Sequence, residues 1–360
     1  MSRKVVVALG VLVLAGASCS GSSGPARPAA KAGQIVTVLR GVPGEKSRTA
    51  WFAVAFDHAG TMYSVGTGPE RVAKVPKNGT PITIVDSQTR FSPPAHLGNN
   101  AGARSILYPT FLDGVAVDSA GTVFIASAES HGVVKVSKSG DRRWAVGDGE
   151  SGNFAPANGP ADQVGLTTPS DLAFDGAGNL FILNGHSVAK LGRDGGVTTV
   201  AGTGARGFSG DGGPATAAQL DPHAMTVDRA GTVYIGDNTR VRRVDTQGVI
   251  QTIAGTGEAG FSGDGGRALE ARFDQISGIA VDGAGNVFVS SGDRVREITA
   301  AGIVRTVAGT GERGFSGDGG LATQARLDGP GGLAVDAAGN LYVCDSVNSR
   351  VRVVGLASSR

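Results

Sequence analysis

Six times along the chain a short apolar run ends in aspartate, turns through a few small residues, and resumes as a second apolar run. The clearest copies are GGLAVDAAGNLYVCD around Asp336, GIAVDGAGNVFVS around Asp282, MTVDRAGTVYIGD around Asp228 and LAFDGAGNLFILN around Asp175. VAVDSAGTVFIA around Asp118 and VAFDHAGTMYSV around Asp57 are looser. These aspartates stand 61, 57, 53, 54 and 54 residues apart, which makes six units. The D-x-A-G-N/T turn places glycine where a tight hairpin demands positive φ.

Each unit continues with two more short apolar runs. The third is RVRVV-like (Arg350 to Val354; compare Arg240 to Val244 and Arg294 to Ile298). The fourth reads I-x-T-V/I-A-G, as at Ile250 to Gly255 and Ile303 to Gly309. Runs rich in Val, Ile, Tyr and Phe, punctuated by Gly and Asp, predict a four-stranded antiparallel sheet per unit. One such sheet cannot bury both faces alone, but six arranged radially can. The pattern therefore predicts an all-β, six-bladed β-propeller. The sixth unit stops after its third run, at RVRVVGLASSR, and GQIVTVLRG at residues 33–41 has the form of the missing fourth. The N-terminal strand is expected to complete the last blade and close the ring, removing open sheet edges.

The connection TVAGTGERGFSGDGG at residues 306–320 contains G-x-G-x-x-G in Gly309, Gly311 and Gly314, the outline of a dinucleotide-binding turn. The motif occurs three times: Gly202 to Gly213, Gly255 to Gly266 and Gly309 to Gly320. Each copy runs into F-S-G-D-G-G where a nucleotide site needs a helix, and no G-K-[ST] follows, so a phosphate cradle is rejected. Each copy also offers a single carboxylate, Asp211, Asp264 or Asp318, where calcium usually takes several. A structural role fits better, because the loop must carry the chain from the outer strand of one blade to the inner strand of the next. Phe208, Phe261 and Phe315 are expected to plug the gap between blades. Asp211, Asp264 and Asp318 are expected to cap a turn or the A-T-x-A-x-L segment by accepting backbone N–H bonds. VGDGESGNFAPANG (146–159) is a degenerate version, and SQTRFSPPAHLGNNAGARS (87–105) is unrelated.

Composition agrees with this picture. Fifty-nine glycines argue against long helices, since each costs roughly 1 kcal/mol in a helix against alanine. An apolar share of 40% suffices for a core. A net charge of +2 with 5% aromatics argues against a dense basic surface, and no nucleic-acid partner is expected. Residues 1–19 read as an export signal, with Arg3 and Lys4 before an apolar run from Val5 to Ala17 that is too short to span a bilayer. Its end, LAGASCS, resembles a bacterial lipoprotein signal, although Gly16 stands where that pattern prefers an aliphatic residue. The resemblance implies that Cys19 becomes the first mature residue and carries lipid. Residues 20–32 then read as a flexible tether and 33–355 as the propeller. The protein is expected at the outer face of the cytoplasmic membrane or cell envelope, or secreted if Cys19 is unmodified. Cys344, within LYVCD, reads as a small buried hydrophobe.

The phrases GLAVDAAGNLYVCDSVNSRVRVV and AGTGERGFSGDGGLATQARL resemble the NHL-repeat family in its long-loop bacterial form, which is similar to the teneurin propeller. The resemblance spans about residues 33 to 355, strong from Val200 onward and weak before Asp118. It implies a propeller, commonly six-bladed, of a kind that mostly binds partners or ligands. It also implies an alternative, because a minority of related propellers are lyases or hydrolases with a metal or polar cluster at the central channel.

In a propeller the inner strands begin near the channel, on the face carrying the blade-crossing loops. Five residues before each anchoring aspartate stand Phe52, Asp113, Ser170, His223, Ser277 and Gly331. One residue further are Ala53, Gly114, Asp171, Ala224, Gly278 and Gly332. Asp113, Asp171 and His223 are the polar outliers and form the candidate ligand site at the channel mouth. Two carboxylates and an imidazole are also a donor set for a channel metal such as calcium, although no cofactor is expected. Glu129, His131, His186, Asn238, Asp293 and Asn348 fall in variable turns on the same face. The arginines at 240, 242, 294, 296, 350 and 352 alternate along the third strands and are expected to pair with Asp237 or Asp345. No G-x-S-x-G, H-E-x-x-H or paired CxxC occurs, so no catalytic residue is assigned. The chain therefore reads as an exported, membrane-anchored binding or scaffold module, monomeric, recognising a protein, glycan or small ligand through its loop face. The alternatives are a channel lyase or hydrolase and a structural or sensory extracellular domain.

Overall fold

The computed structural model describes residues 27–40, 49–67, 70–78, 80–86, 89–91, 112–148 and 158–356. The export signal and Cys19 lie outside the described residues. Among those described there is no α-helix, only strands and the single 3₁₀ turns Ala215–Ala217, Ala268–Glu270 and Ala322–Gln324. No described helix is long and apolar enough to cross a membrane.

The strands form six separate antiparallel sheets. Their inner strands are Ala50–Phe56, Leu112–Val117, Pro169–Phe174, Pro222–Val227, Ile276–Val281 and Pro330–Val335, for blades 1 to 6 in turn. Each inner strand ends in the aspartate hairpin. In blade 6 the Asp336 carboxylate accepts the Asn340 N–H at 2.9 Å, and Gly339 turns the chain at φ +82°. The sixth blade closes as the repeat count requires. Ile35–Arg40 pairs antiparallel with Arg350–Gly355, Ile35 opposite Val354 and Arg40 opposite Arg350.

Burial follows the radial design. Each junction between neighbouring blades holds its own apolar cluster. Phe181, Leu183 and Val188 of blade 3 pack on Met225, Val227 and Ile235 of blade 4. Leu39, Cys344 and Val351 of blade 6 pack on Trp51, Val54 and Met62 of blade 1. That last cluster seals the ring from within. The inner strands approach so closely that glycine is required at some points. A Cβ on Gly332 would strike the Phe52 carbonyl, and one on Gly278 would strike the Gly331 carbonyl.

Register also fixes what lies on each face. Pro222 pairs with Asp237 and Val241 with Ala254, so inner-strand starts, the turns between second and third strands and the crossing loops share one face. The opposite face carries the aspartate hairpins. The glycine loops do more than cross. Each first travels out to the outer edge of the next blade, where Gly212 N–H donates to Ile250 O at 2.8 Å and Ile250 N–H to Gly213 O at 3.1 Å. Gly265 and Val304 repeat this on blade 5. On blade 6 the same loop holds the closing strand, with Gly319 N–H on Ile35 O at 2.8 Å and Ala322 N–H on Gly33 O at 2.8 Å. In blade 3 the equivalent residues form a short fifth strand, Gly159–Pro160. Edge groups that would template aggregation are thereby paired.

Residues 27–32, expected within the flexible tether, instead pack on the hairpin face. Arg27 N–H donates to Lys77 O at 3.0 Å, its guanidinium lies 5.5 Å from the Phe56 ring centre, and Ala32 bridges Gly355. Stacking of the guanidinium on the aromatic face gives this short stretch a reason to stay down.

Candidate functional site

Residues from all six inner strands line a central cavity of about 950 Å³. Its lining is layered. Phe52, Asp113, Ser170, His223, Ser277 and Gly331 ring the mouth on the loop face. Deeper, Ala55, Ala116, Ala173, Thr226, Ala280 and Ala334 form a waist of small residues. Phe56, Val117, Phe174, Val227, Val281 and Val335 line the far end. The layers are successive levels along the inner strands, each of which is an edge strand of its sheet. The cavity is thus polar above and apolar below.

The three candidate residues sit on consecutive inner strands but play different parts. Asp171 is half-buried in the channel wall, and both its oxygens are engaged. One accepts the Leu172 N–H at 2.9 Å and the other the Met225 N–H of blade 4 at 2.9 Å. It ties two inner strands together. Burial nonetheless pushes its pKa up to about 6, against those two hydrogen bonds and with help from the nearby Asp113 charge. Asp113 is also raised to about 6, by burial first and the Glu70 carboxylate second. The structure therefore brings Asp113 and Asp171 into electrostatic contact. His223 stands apart from them. Its Nε2 lies 2.9 Å from Gln275 Nε2 and 3.9 Å from Asp221 Oδ1. Gln275 and Asp221 were not legible as site residues, because neither stands at a repeated position in the inner strands. Among the described residues, no three His, Cys, Asp or Glu side chains are grouped to hold a metal ion.

The variable turns on this face are largely occupied in shaping themselves. His131 Nδ1 is 2.5 Å from Thr167 O. Asn348 donates to Gly314 O at 2.8 Å. Asp293 accepts the Gly329 N–H at 3.1 Å and faces Arg313 at 3.4 Å, and both Asp293 and Arg313 reach the cavity rim.

The glycine-loop expectations need correction. The phenylalanines do not plug a gap between blades. Phe208, Phe261 and Phe315 are 40–46% exposed and lie flat over third-strand guanidiniums, 3.9 Å from Arg240, 3.8 Å from Arg294 and 3.9 Å from Arg350. Nor do the aspartates cap the 3₁₀ turns, which have no side-chain cap. Asp211, Asp264 and Asp318 instead receive the buried guanidiniums of Arg242, Arg296 and Arg352 at 2.7, 2.7 and 2.9 Å. Each of these arginines also donates to loop carbonyls, Arg296 to Arg272 O and Ser262 O at 2.7 Å each. The buried charge wins the aspartate because a desolvated guanidinium needs a close anionic partner. The expected pairing with Asp237 and Asp345 is present as a second, longer contact, 3.3 Å to Arg242 and 3.5 Å to Arg352. At Asp211, burial alone would raise the pKa, but hydrogen bonds from Thr252 and Arg242 hold it below the usual range. Cys344 is buried, and desolvation pushes its thiol pKa far up, which fits a packing role.

This geometry has relatives. Residues 203–262 and 257–316 match the teneurin NHL domain model, and residues 327–354 match the NHL repeat model. Residues 203–354 thus carry NHL repeats. Teneurin-4 of Mus musculus is 28% identical over 227 residues, a match covering 40% of this chain and 8% of that much longer protein. Among solved structures, an auxiliary nutrient binding protein from Bacteroides ovatus superposes with a TM-score of 0.59 at 15% identity, covering 89% of this chain and 76% of that chain. A gluconolactonase from Xanthomonas campestris superposes with a TM-score of 0.56 at 15% identity, covering 93% and 98%. At such identities these two share the propeller fold with this chain.

Proposed function

We propose that the protein is an exported, membrane-anchored binding module that takes a ligand at the loop-face mouth of its channel. The observation that carries this reading is the contrast between scaffold and rim. Six blades of one design present five different residue types at one position, around a cavity of about 950 Å³, a size suited to a small ligand or a terminal glycan or peptide group. The polar mouth would orient the ligand, and the apolar far end would receive its hydrophobic part. A structural neighbour described as a nutrient-binding protein supports a binding role.

The enzymatic alternative has one observation in its favour. Asp113 and Asp171 both have pKa values raised to about 6, within the range a general acid or base needs near neutral pH. Native mass spectrometry of the protein after equilibration with an envelope extract distinguishes the two. Binding predicts a retained, unaltered species that is lost in Asp113→Ala and His223→Ala. Retention of the same species by both variants removes the channel mouth as its site. Conversion of the species by wild type but not Asp113→Ala establishes the enzyme instead.

A further inference from the structure

In blades 4 and 5 the first arginine of the third strand has a complete set of partners. Arg240 stacks 3.9 Å over Phe208 and donates to Thr256 O at 3.2 Å. Arg294 stacks 3.8 Å over Phe261 and donates to Thr310 O at 2.7 Å. Both acceptors belong to the Gly-Thr-Gly turn that follows the outer strand, begun by Gly255 and Gly309 at φ +94° and +89°. Blade 6 keeps the stack, with Arg350 3.9 Å over Phe315, but its sequence at this point lacks Gly-Thr-Gly. Its outer strand comes from the other end of the chain, and Arg40 stands where those glycines do.

The consequence is electrostatic. Blade 4's outer ladder ends with Ala254 opposite Val241, whereas blade 6 runs one pair further and sets Arg40 opposite Arg350. Like charges directly opposite on neighbouring strands repel unless a counter-charge joins them. Arg350 Nε is buried without a hydrogen-bond partner among the described residues. Burial, then Arg40, lowers the Arg350 pKa. Two nearby carboxylates, Asp318 and Asp345, act in the opposite direction, and Asp345 stands opposite Arg350 with its Oδ2 free of hydrogen bonds among the described residues. Asp318 holds Arg352 at 2.9 Å, and Asp345 accepts the Asp328 N–H at 2.8 Å and the Asn348 side chain at 2.9 Å.

We propose that Arg40 and Arg350, with Phe315 as the platform beneath Arg350, form a site for a small oxyanion on the loop face of blade 6. A phosphate or carboxylate group would accept from the unpartnered Arg350 fork while the exposed Arg40 closes over it from solvent. None of the three residues lines the central cavity, so this site is separate from the channel mouth.

Isothermal titration of the full chain with inorganic phosphate, at ionic strength held constant with sodium chloride, tests the site. One saturable equivalent is expected, weakened at least tenfold in Arg350→Gln. Arg40→Gly restores the residue found in blades 2 to 5, so it should fold normally and weaken phosphate binding to a similar degree. Sodium acetate in the same cell separates the two oxyanions. Acetate competing with phosphate admits carboxylates to the site, and failure to compete narrows it to phosphate. Absence of saturable phosphate binding, or binding unchanged in Arg40→Gly, overturns the proposal.

Discussion

The arginine at the centre of each long-loop blade shows how one residue can be costly and necessary at once. Arg296 is 1% exposed, so its charge has lost nearly all its water. Asp264 and two loop carbonyls replace that water. Removing one side of a buried pair strands the other, typically at about 3–5 kcal/mol, whereas an exposed pair is worth about 0–1 kcal/mol. Arg296→Ala is therefore expected to lower the urea midpoint strongly, and Arg267→Ala, which breaks the exposed pair with Glu270, hardly at all. Equal effects would show that the buried fork is dispensable. Asp113 makes the opposite prediction. Its pKa in the fold is raised to about 6 from 3.8, so the native state binds its proton more tightly than the unfolded chain does. Stability from this group is therefore lost as pH rises from about 4 to about 6, and the whole cost stands above that window. Asp113→Asn should match wild type near pH 4 and gain about 1–2 kcal/mol at pH 7, allowing for partial solvation. A loss at pH 7 would mean the fold uses the carboxylate itself.

At the scale of strands and loops, ring closure and edge protection depend on the same few residues. The strand Ile35–Arg40 bonds to Arg350–Gly355 on one side and to Gly319 and Gly320 of the last glycine loop on the other. Deleting residues 33–40 would expose both partners and open the cluster that holds Leu39 against Trp51 and Met62. A large fall in melting temperature is expected by calorimetry, and an unchanged value would refute closure. Strands, hairpins and this closure were legible because period-two alternation and the aspartate turn recur in sequence. The loop's detour to the blade edge was not. It rests on backbone pairing, such as Gly212 with Ile250, that leaves no side-chain signature. The roles of Phe208 and Asp211 were missed for a related reason. Their partner, Arg242, lies about thirty residues away on a strand whose inward face spacing alone does not reveal.

For the molecule as a whole, the site was half legible. Counting back from the repeated aspartates located the mouth ring, including Asp113 and His223. It could not show that the Asp171 carboxylate is used to link blades, since Met225 belongs to another unit. Anchoring remains a proposal with its own measurement. Mass spectrometry of the native N-terminus is expected to find lipid-modified Cys19, and an unmodified start elsewhere would rule that anchor out.

The packing of residues 27–34 against the aspartate hairpins has a further consequence. The closing strand is entered at Ile35 from that side, and Gly355 ends its strand there as well. Among the described residues, the chain thus enters and leaves the propeller on the side away from the mouth. Attachment and access are geometrically independent in this molecule. A segment attached before Arg27 or after Leu356 therefore starts on the face opposite the channel mouth.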